Sequence, residues 1–260
     1  MRIAHLILVH KNPHQLTRLI QAMTHPAFDF YIHIDKKADA RLFDTVLAMP
    51  NVYAVVKRTK IYWAGYGTIQ ATINGFEAII PKGYDYINVM SGQDFPLKTP
   101  PYIHDYINER RGKEFITCEA MDGPWNVADR VRNYHLVNWR IPGKYKLEKL
   151  ANRFLPKRTF PFDYEIVGRA NWFTLTNDAA RFVIDFIHQH PKIVRYFKYC
   201  WGADEFMFSS ILFNSPLFRD KIADNLTYVD WSEGNPHPKL LSGADVEALT
   251  RTDKLFGRKF

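Results

Sequence analysis

Arg2-Ile3-Ala4-His5-Leu6-Ile7-Leu8-Val9-His10-Lys11-Asn12-Pro13 opens the chain after its first methionine. The apolar run is short and stops at Asn12-Pro13, a helix cap followed by proline at the first helical position. Leu16, Leu19, Ile20 and Met23 then recur at helical spacing. The run lacks a small-residue cleavage site and passes straight into this helix signal, so it reads as a first strand. A strand feeding a helix is the opening unit of an α/β fold.

The unit repeats outward from there. Residues 28–35 alternate Phe28, Phe30, Ile32 and Ile34 against Asp29, Tyr31 and His33, as a strand does. Residues 38–49 fit a helix, 51–56 a short strand, 67–80 a helix and 84–90 a buried strand. A helix over 101–109 and a strand over 114–118 complete the run. The pattern dissolves between Met121 and Glu165, where basic, aromatic and proline residues mix. It returns with a strand at 171–176, helices at 178–188 and 204–212, a strand at 226–231 and a short helix at 244–250. This order predicts one α/β domain over residues 1–260, a mostly parallel central sheet flanked by helices, with a long loop insertion. Ligands of open α/β sheets lie beyond the carboxyl ends of the strands. That rule gathers His10, Asp35 and Ser91-Gly92-Gln93-Asp94 at one edge.

Composition narrows the partners. Apolar residues at 47% and charged residues at 24% are ordinary for a soluble domain, and no window approaches the roughly 18 apolar residues of a membrane span. Cys118 and Cys200 are too few for a disulfide scaffold and lack metal-ligand spacing, so the cytoplasm is the expected compartment. The net charge is +8, and residues 130–158 hold nine Lys or Arg against Glu148 alone. Such a patch suits nucleic acid, an anionic membrane face or a phosphorylated ligand; a solvated face with no partner is the plain alternative. No nucleic-acid motif is present, so no nucleic-acid partner is expected. Peripheral contact with an anionic membrane through 130–158 stays open.

Three segments can carry chemistry. Ser91-Gly92-Gln93-Asp94-Phe95-Pro96 follows a buried strand, with Asp94 either a site carboxylate or the cap of a turn. Trp201-Gly202-Ala203-Asp204-Glu205-Phe206 leads into a helix, with Asp204 read as its N-cap and Glu205 in its first turn. There the helix dipole keeps Glu205 ionised, as a general base requires; the structural alternative is a glutamate serving the dipole only. Leu255-Phe256-Gly257-Arg258-Lys259-Phe260, with Lys239 upstream, can neutralise a diphosphate, or it is a solvated tail. On the first reading it is a docked tail whose last residues can be removed without harm to the fold. No two aspartates stand two apart, and no glycine-rich phosphate loop occurs, so no metal and no cofactor are expected.

Taken in order, Leu8-Val9-His10-Lys11, Ile32-His33-Ile34-Asp35-Lys36-Lys37, Tyr62-Trp63-Ala64-Gly65-Tyr66-Gly67, Ser91 to Pro96, Gly168-Arg169-Ala170-Asn171-Trp172-Phe173, Asp204-Glu205-Phe206 and Leu255 to Phe260 form one pattern. The pattern resembles the family of core-2/I-branching β-1,6-N-acetylglucosaminyltransferases and peptide O-xylosyltransferases. The resemblance implies a GT-A-like fold, a UDP-sugar donor, inversion at the anomeric carbon and no divalent metal. It places Glu205 as the base, with Lys259, Arg258 and Lys239 on the donor diphosphate. Val9, His10, Asp35 and Trp63 fall on the donor side. Glu119, Trp172 and Trp231 fall on or near the acceptor side, with Asp94 and Arg132 beside them. Residues 1–118 are then a nucleotide-binding half and 119–260 an acceptor-binding and catalytic half. The animal enzymes carry a membrane anchor and paired cysteines, which this sequence lacks, so it reads as a compact bacterial-type member. The acceptor is a glycan or glycolipid; N-acetylglucosamine is the first choice of sugar and xylose the second. A non-catalytic nucleotide-sugar-binding module and a glycoside hydrolase are the rivals, the latter needing two carboxylates across one bond.

Overall fold

The computed structural model describes all 260 residues. The chain begins β1 (Ile3–Val9), α1 (Pro13–Ala22), β2 (Phe28–Ile34), α2 (Asp44–Leu47), β3 (Val52–Ala54), α3 (Gly67–Ile79), β4 (Tyr86–Ser91), β5 (Asp94–Pro96) and α4 (Pro100–Glu109). It continues β6 (Glu114–Phe115), β7 (Glu119–Ala120), α5 (Ala128–Arg132), α6 (Lys144–Phe154), β8 (Val167–Gly168), β9 (Phe173–Thr176), α7 (Asn177–Gln189) and α8 (Pro191–Phe197). α9 (Met207–Phe213), β10 (Ile222–Ala223), β11 (Thr227–Val229), α10 (Val246–Arg251) and β12 (Phe256–Arg258) complete it. Seven strands form the central sheet in the order β10-β6-β9-β4-β1-β2-β3. β1, β2, β3 and β4 are mutually parallel, and β9 runs against β4 and β6. The expected α/β class with a mostly parallel sheet is what is observed. Strands from before and after residue 118 share this sheet.

Helices cover both faces, and β1 shows how the sequence divides between them. Ala4, Leu6 and Leu8 join the core under α3 and α7, while Ile3, Ile7 and Val9 join the core under α1, α2 and α4. A strand covered on both faces buries every residue. This is why the alternation over 28–35 misleads: Tyr31 and His33 are as buried as their apolar neighbours. His5 is tolerated in the core because it is uncharged. Burial pushes its imidazole down to about 3, and its ring lies beside Phe28 and Phe30 with Asn88 Nδ2 3.0 Å from Nδ1.

Other expectations need correction. Asn12 does precede the α1 proline, but it adopts a left-handed conformation (φ 60°, ψ 61°) and its side chain caps nothing. The helix expected over 38–49 is a 3₁₀ turn, Ala40–Phe43, joined to one turn of α2. The strand expected over 114–118 pairs only at Glu114 and Phe115. The region from Met121 to Glu165, read as a loop, holds α5 and α6. The helix expected over 204–212 is broken at Phe206 (φ −120°) into a 3₁₀ turn, Ala203–Glu205, and α9. No helix is long and apolar enough to cross a membrane.

The basic run near residue 258 is not a detachable tail. β12 is the middle strand of a second sheet, β11-β12-β5, with Arg258 opposite Asp94. Arg258 Nη1 donates to Asp94 Oδ1 at 2.7 Å, and the Ser91 amide donates to Oδ2 at 2.7 Å. Asp94 is 1% exposed. Burial pushes its carboxyl up, and the Arg258 charge and the Ser91 amide pull it back. Removing one member of such a pair strands the other without compensation. Arg258→Met is therefore expected to lose about 3–5 kcal/mol in denaturant unfolding, and adding Asp94→Asn to restore a large part of it. Equal losses in the single and double variants would show that the pair is not what holds β12.

Candidate active site

The strand registers bring one edge of the central sheet together. Val9 is level with Ile34 and Leu8 with Ser91, so β1, β2 and β4 end side by side. The Asp35 amide donates to the Val9 carbonyl at 2.8 Å. Asp35 is 2% exposed; its Oδ1 accepts from the Lys37 amide at 2.9 Å and the Lys37 ammonium lies 3.4 Å from Oδ2. His10 is exposed and within electrostatic reach of Asp35. Gly92 crosses the end of β1 so closely that a Cβ there would stand 2.7 Å from Val9 Cγ1. The gathering of His10, Asp35 and residues 91–94 at one edge is thus observed. Trp63 is 69% exposed and meets Trp201 edge-on at 5.0 Å.

Glu205 sits differently from expectation, and the difference is chemical. Gly202 (φ 66°), not Asp204, precedes the turn that holds it. Asp204 accepts from Asn171 Nδ2 at 3.0 Å and caps no helix. Glu205 is not in the first turn of α9, so that helix dipole does not hold it ionised. Its carboxyl is instead pushed up to about 7, first by burial and then by the Asp204 charge, against the pull of Arg130. Arg130 Nη1 donates to Glu205 Oε2 at 2.8 Å, with its guanidinium 4.4 Å over the Trp201 ring. The backbone is fixed as tightly: a Cβ on Gly168 would lie 1.9 Å from the Glu205 carbonyl, which accepts from the Arg169 amide at 3.0 Å.

A run of contacts joins this carboxylate to the basic strand. The Arg258 guanidinium lies 4.9 Å over the Trp172 ring, and Trp172 follows Asn171, the partner of Asp204. The Arg258 charge reaches Asp204 and lowers its carboxyl against the stronger effect of burial, which raises it. The Trp172 carbonyl accepts from Asn225 Nδ2 at 2.5 Å. Glu119 pairs with Arg169 at 2.5 Å, next to the Glu205 carbonyl. Arg132 pairs with Asp122 at 2.8 Å on the exposed side of α5.

The remaining sequence candidates lie further out. Lys239 Nζ is held by Asp245 at 2.5 Å and lies 4.0 Å from Asp230. The Leu241 amide donates to the Lys259 carbonyl at 2.8 Å, so this loop borders the basic strand. Lys259 is half-buried and, unlike Lys239 and Arg258, forms no ion pair. Trp231 is 52% exposed beyond β11. Asp94 has both oxygens engaged, one by the Ser91 amide as the plainer turn-capping reading has it and the other by Arg258, which that reading did not include. No group of three His, Cys, Asp or Glu side chains is placed to share an ion. Sequence reasoning gave no role to Arg130, Asn171 or Gly168. In the sequence Arg130 belongs to a basic patch, and Gly168 and Asn171 to one short motif whose glycine signals close backbone approach.

Comparison with known proteins gives the family of the chain. Xylosyltransferase 2 of Rattus norvegicus is 23% identical over 249 residues, covering 89% of this chain and 27% of the relative. The Homo sapiens protein named "Probable beta-1,3-galactosyl-O-glycosyl-glycoprotein beta-1,6-N-acetylglucosaminyltransferase 7" is 27% identical over 192 residues, covering 72% of this chain and 44% of that one. The chain thus spans about a quarter of the length of the xylosyltransferase it matches. Among solved structures, 4-diphosphocytidyl-2C-methyl-D-erythritolsynthase from Anaerococcus prevotii aligns over 96% of this chain and 94% of its own, with a TM-score of 0.43 and 11% identity. Residues 3–253 match the family model of the Core-2/I-Branching enzyme, and the chain belongs to that family.

Proposed function

We propose that this protein is an inverting, metal-independent glycosyltransferase that moves a sugar from a UDP-sugar to a hydroxyl of a glycan or glycolipid. The carrying observation is Glu205, a partly buried carboxyl held near neutrality by burial and Arg130 beside a tryptophan cluster. A general base works best when its pKa lies near the working pH. Glu205 takes a proton from the acceptor hydroxyl, which attacks the anomeric carbon opposite the UDP. Arg258 and Lys259 offset charge developing on the diphosphate. Val9, His10 and Asp35 at the strand ends and Trp63 against Trp201 line the donor side, and Glu119, Arg132, Trp172 and Trp231 serve the acceptor. The named relatives favour N-acetylglucosamine or xylose as the sugar, and N-acetylglucosamine is preferred.

Glu205→Gln keeps the shape and removes the proton acceptor. Turnover should fall roughly 10²–10⁴-fold with UDP affinity nearly unchanged. The parent should show kcat/KM rising with pH through about 7, because only the ionised carboxylate accepts a proton. Arg130→Met removes the cation that pulls this carboxyl down, so the rise should move to higher pH. Stability gives the opposite sign. The fold favours protonated Glu205, a contribution complete below its ordinary 4.5 and lost as pH rises to about 7. Glu205→Gln should therefore gain in melting temperature relative to the parent above neutral pH. Activity within a few-fold of the parent would remove Glu205 from the role of base.

Metal independence is supported by the missing Asp-x-Asp pair and by the cations near the strand ends. Turnover in excess EDTA should match turnover without it; abolition by chelator and rescue by manganese would overturn this. Lys259→Ala should weaken UDP binding about tenfold or more by calorimetry, as for one charge-assisted contact. Lys239→Ala should cost less, because Asp245 already holds that ammonium. Unchanged affinity in the Lys259 variant would take the diphosphate away from this residue.

A further inference from the structure

A surface helix ordinarily turns its apolar stripe to the core and its charges to water. α6 leaves its apolar stripe in solvent along with its cations. Lys144, Glu148, Ala151 and Asn152 share one face and are its only partly buried residues. Glu148 Oε2 accepts from the Leu136 amide at 2.9 Å. Asn152 accepts from the Tyr134 amide at 2.7 Å and donates back to the Tyr134 carbonyl at 2.8 Å. The segment beneath is itself pinned, since Asn138 accepts from the Tyr66 amide at 2.9 Å and donates to the Lys198 carbonyl at 2.8 Å. Docked by its polar face, α6 presents Leu147, Leu150 and Phe154 to solvent, 46%, 55% and 69% exposed. Ile141 before it and Leu155 after it are also exposed apolar side chains. Lys146, Lys149 and Arg153 are exposed along the flank, and the one acid of the helix, Glu148, is turned inward.

We infer that α6 is an interfacial helix that lies in the plane of an anionic lipid bilayer. Leu147, Leu150 and Phe154 enter below the headgroups while Lys146, Lys149 and Arg153 meet the phosphates. Charge selects this occupant. A second copy would set these cations against their own kind, and nucleic acid would leave the apolar stripe wet. A negatively charged headgroup plane over an apolar interior satisfies both features at once. α6 hangs from residues 134–136, just beyond α5, which carries the Arg130 partner of Glu205. Docking there would hold the proposed base at a fixed height over the membrane, where a lipid-linked acceptor is presented. The contact uses none of the residues assigned to transfer, so it stands or falls apart from that reading.

The test is flotation of the full chain with phosphatidylcholine vesicles, with and without phosphatidylglycerol. Binding is expected only with phosphatidylglycerol and should weaken as salt is added. Leu147→Ser with Leu150→Ser and Phe154→Ser should lower it at least roughly tenfold. Lys146→Glu with Lys149→Glu and Arg153→Glu should lower it on the order of a hundredfold. Both variants should keep the parent's melting temperature, since every substituted side chain is exposed. Absence of binding to phosphatidylglycerol vesicles at low salt overturns the inference, as does binding that either variant retains in full. A lipid-free dimer in sedimentation that the serine variant abolishes, with no vesicle binding, gives the surface to a second copy instead.

Discussion

Asp94 and Arg258 meet 164 residues apart in sequence, and most of the site is arranged around that meeting. The carboxylate alone would not stay in so dry a place, and the guanidinium gives it a partner there. With Arg258 fixed on one side, its plane covers Trp172 on the other. Trp172 is held through its carbonyl by Asn225, and its neighbour Asn171 holds Asp204. Asp204 in turn adds the repulsion that helps raise Glu205. A buried pair of this kind adds little net stability over an apolar substitute. Its contribution is positional: it sets which strand lies under the strand ends and which cation faces the site.

Glu205 is governed by a balance rather than by one neighbour. Burial and Asp204 favour its protonated form, and Arg130 favours the carboxylate. Had it lain in the first turn of α9, as the sequence suggested, the dipole would have favoured ionisation. The break at Phe206 removes that influence and leaves the carboxyl poised. Gly168 matters here through what it lacks, since any side chain would drive into the Glu205 carbonyl and displace the turn.

The parallel sheet was legible because its strands are apolar runs of ordinary length, joined by helices with regular spacing. Residues 2–23 illustrate this, with Leu16, Leu19 and Ile20 buried as their period required. The edge cluster was legible from topology alone, since strand ends in such a sheet must adjoin. Tyr31 and His33 were misjudged because alternation marks a face only when the other face meets water. α6 was missed although Leu147, Leu150 and Phe154 carry a helical period, because its charges and aromatics concealed an apolar stripe that faces outward. The role of Arg130 was not readable at all. Its contact with Glu205 spans 75 residues and depends on how α5 packs, which no local pattern encodes.

The lateness of β12 carries a consequence for how the molecule comes into being on the ribosome. β5 is synthesised early, yet its strand partner arrives only with residues 256–258. Until then Asp94 has no cation, and an ionised carboxylate without one is held in water rather than in the interior. The central sheet can settle around β1, β2 and β4 while the nascent chain is still growing, but β5 waits for its partner strand. Closing a loop of that span is slow compared with local pairing. The Asp94–Arg258–Trp172 arrangement should therefore appear as a late event, after most of the secondary structure has formed.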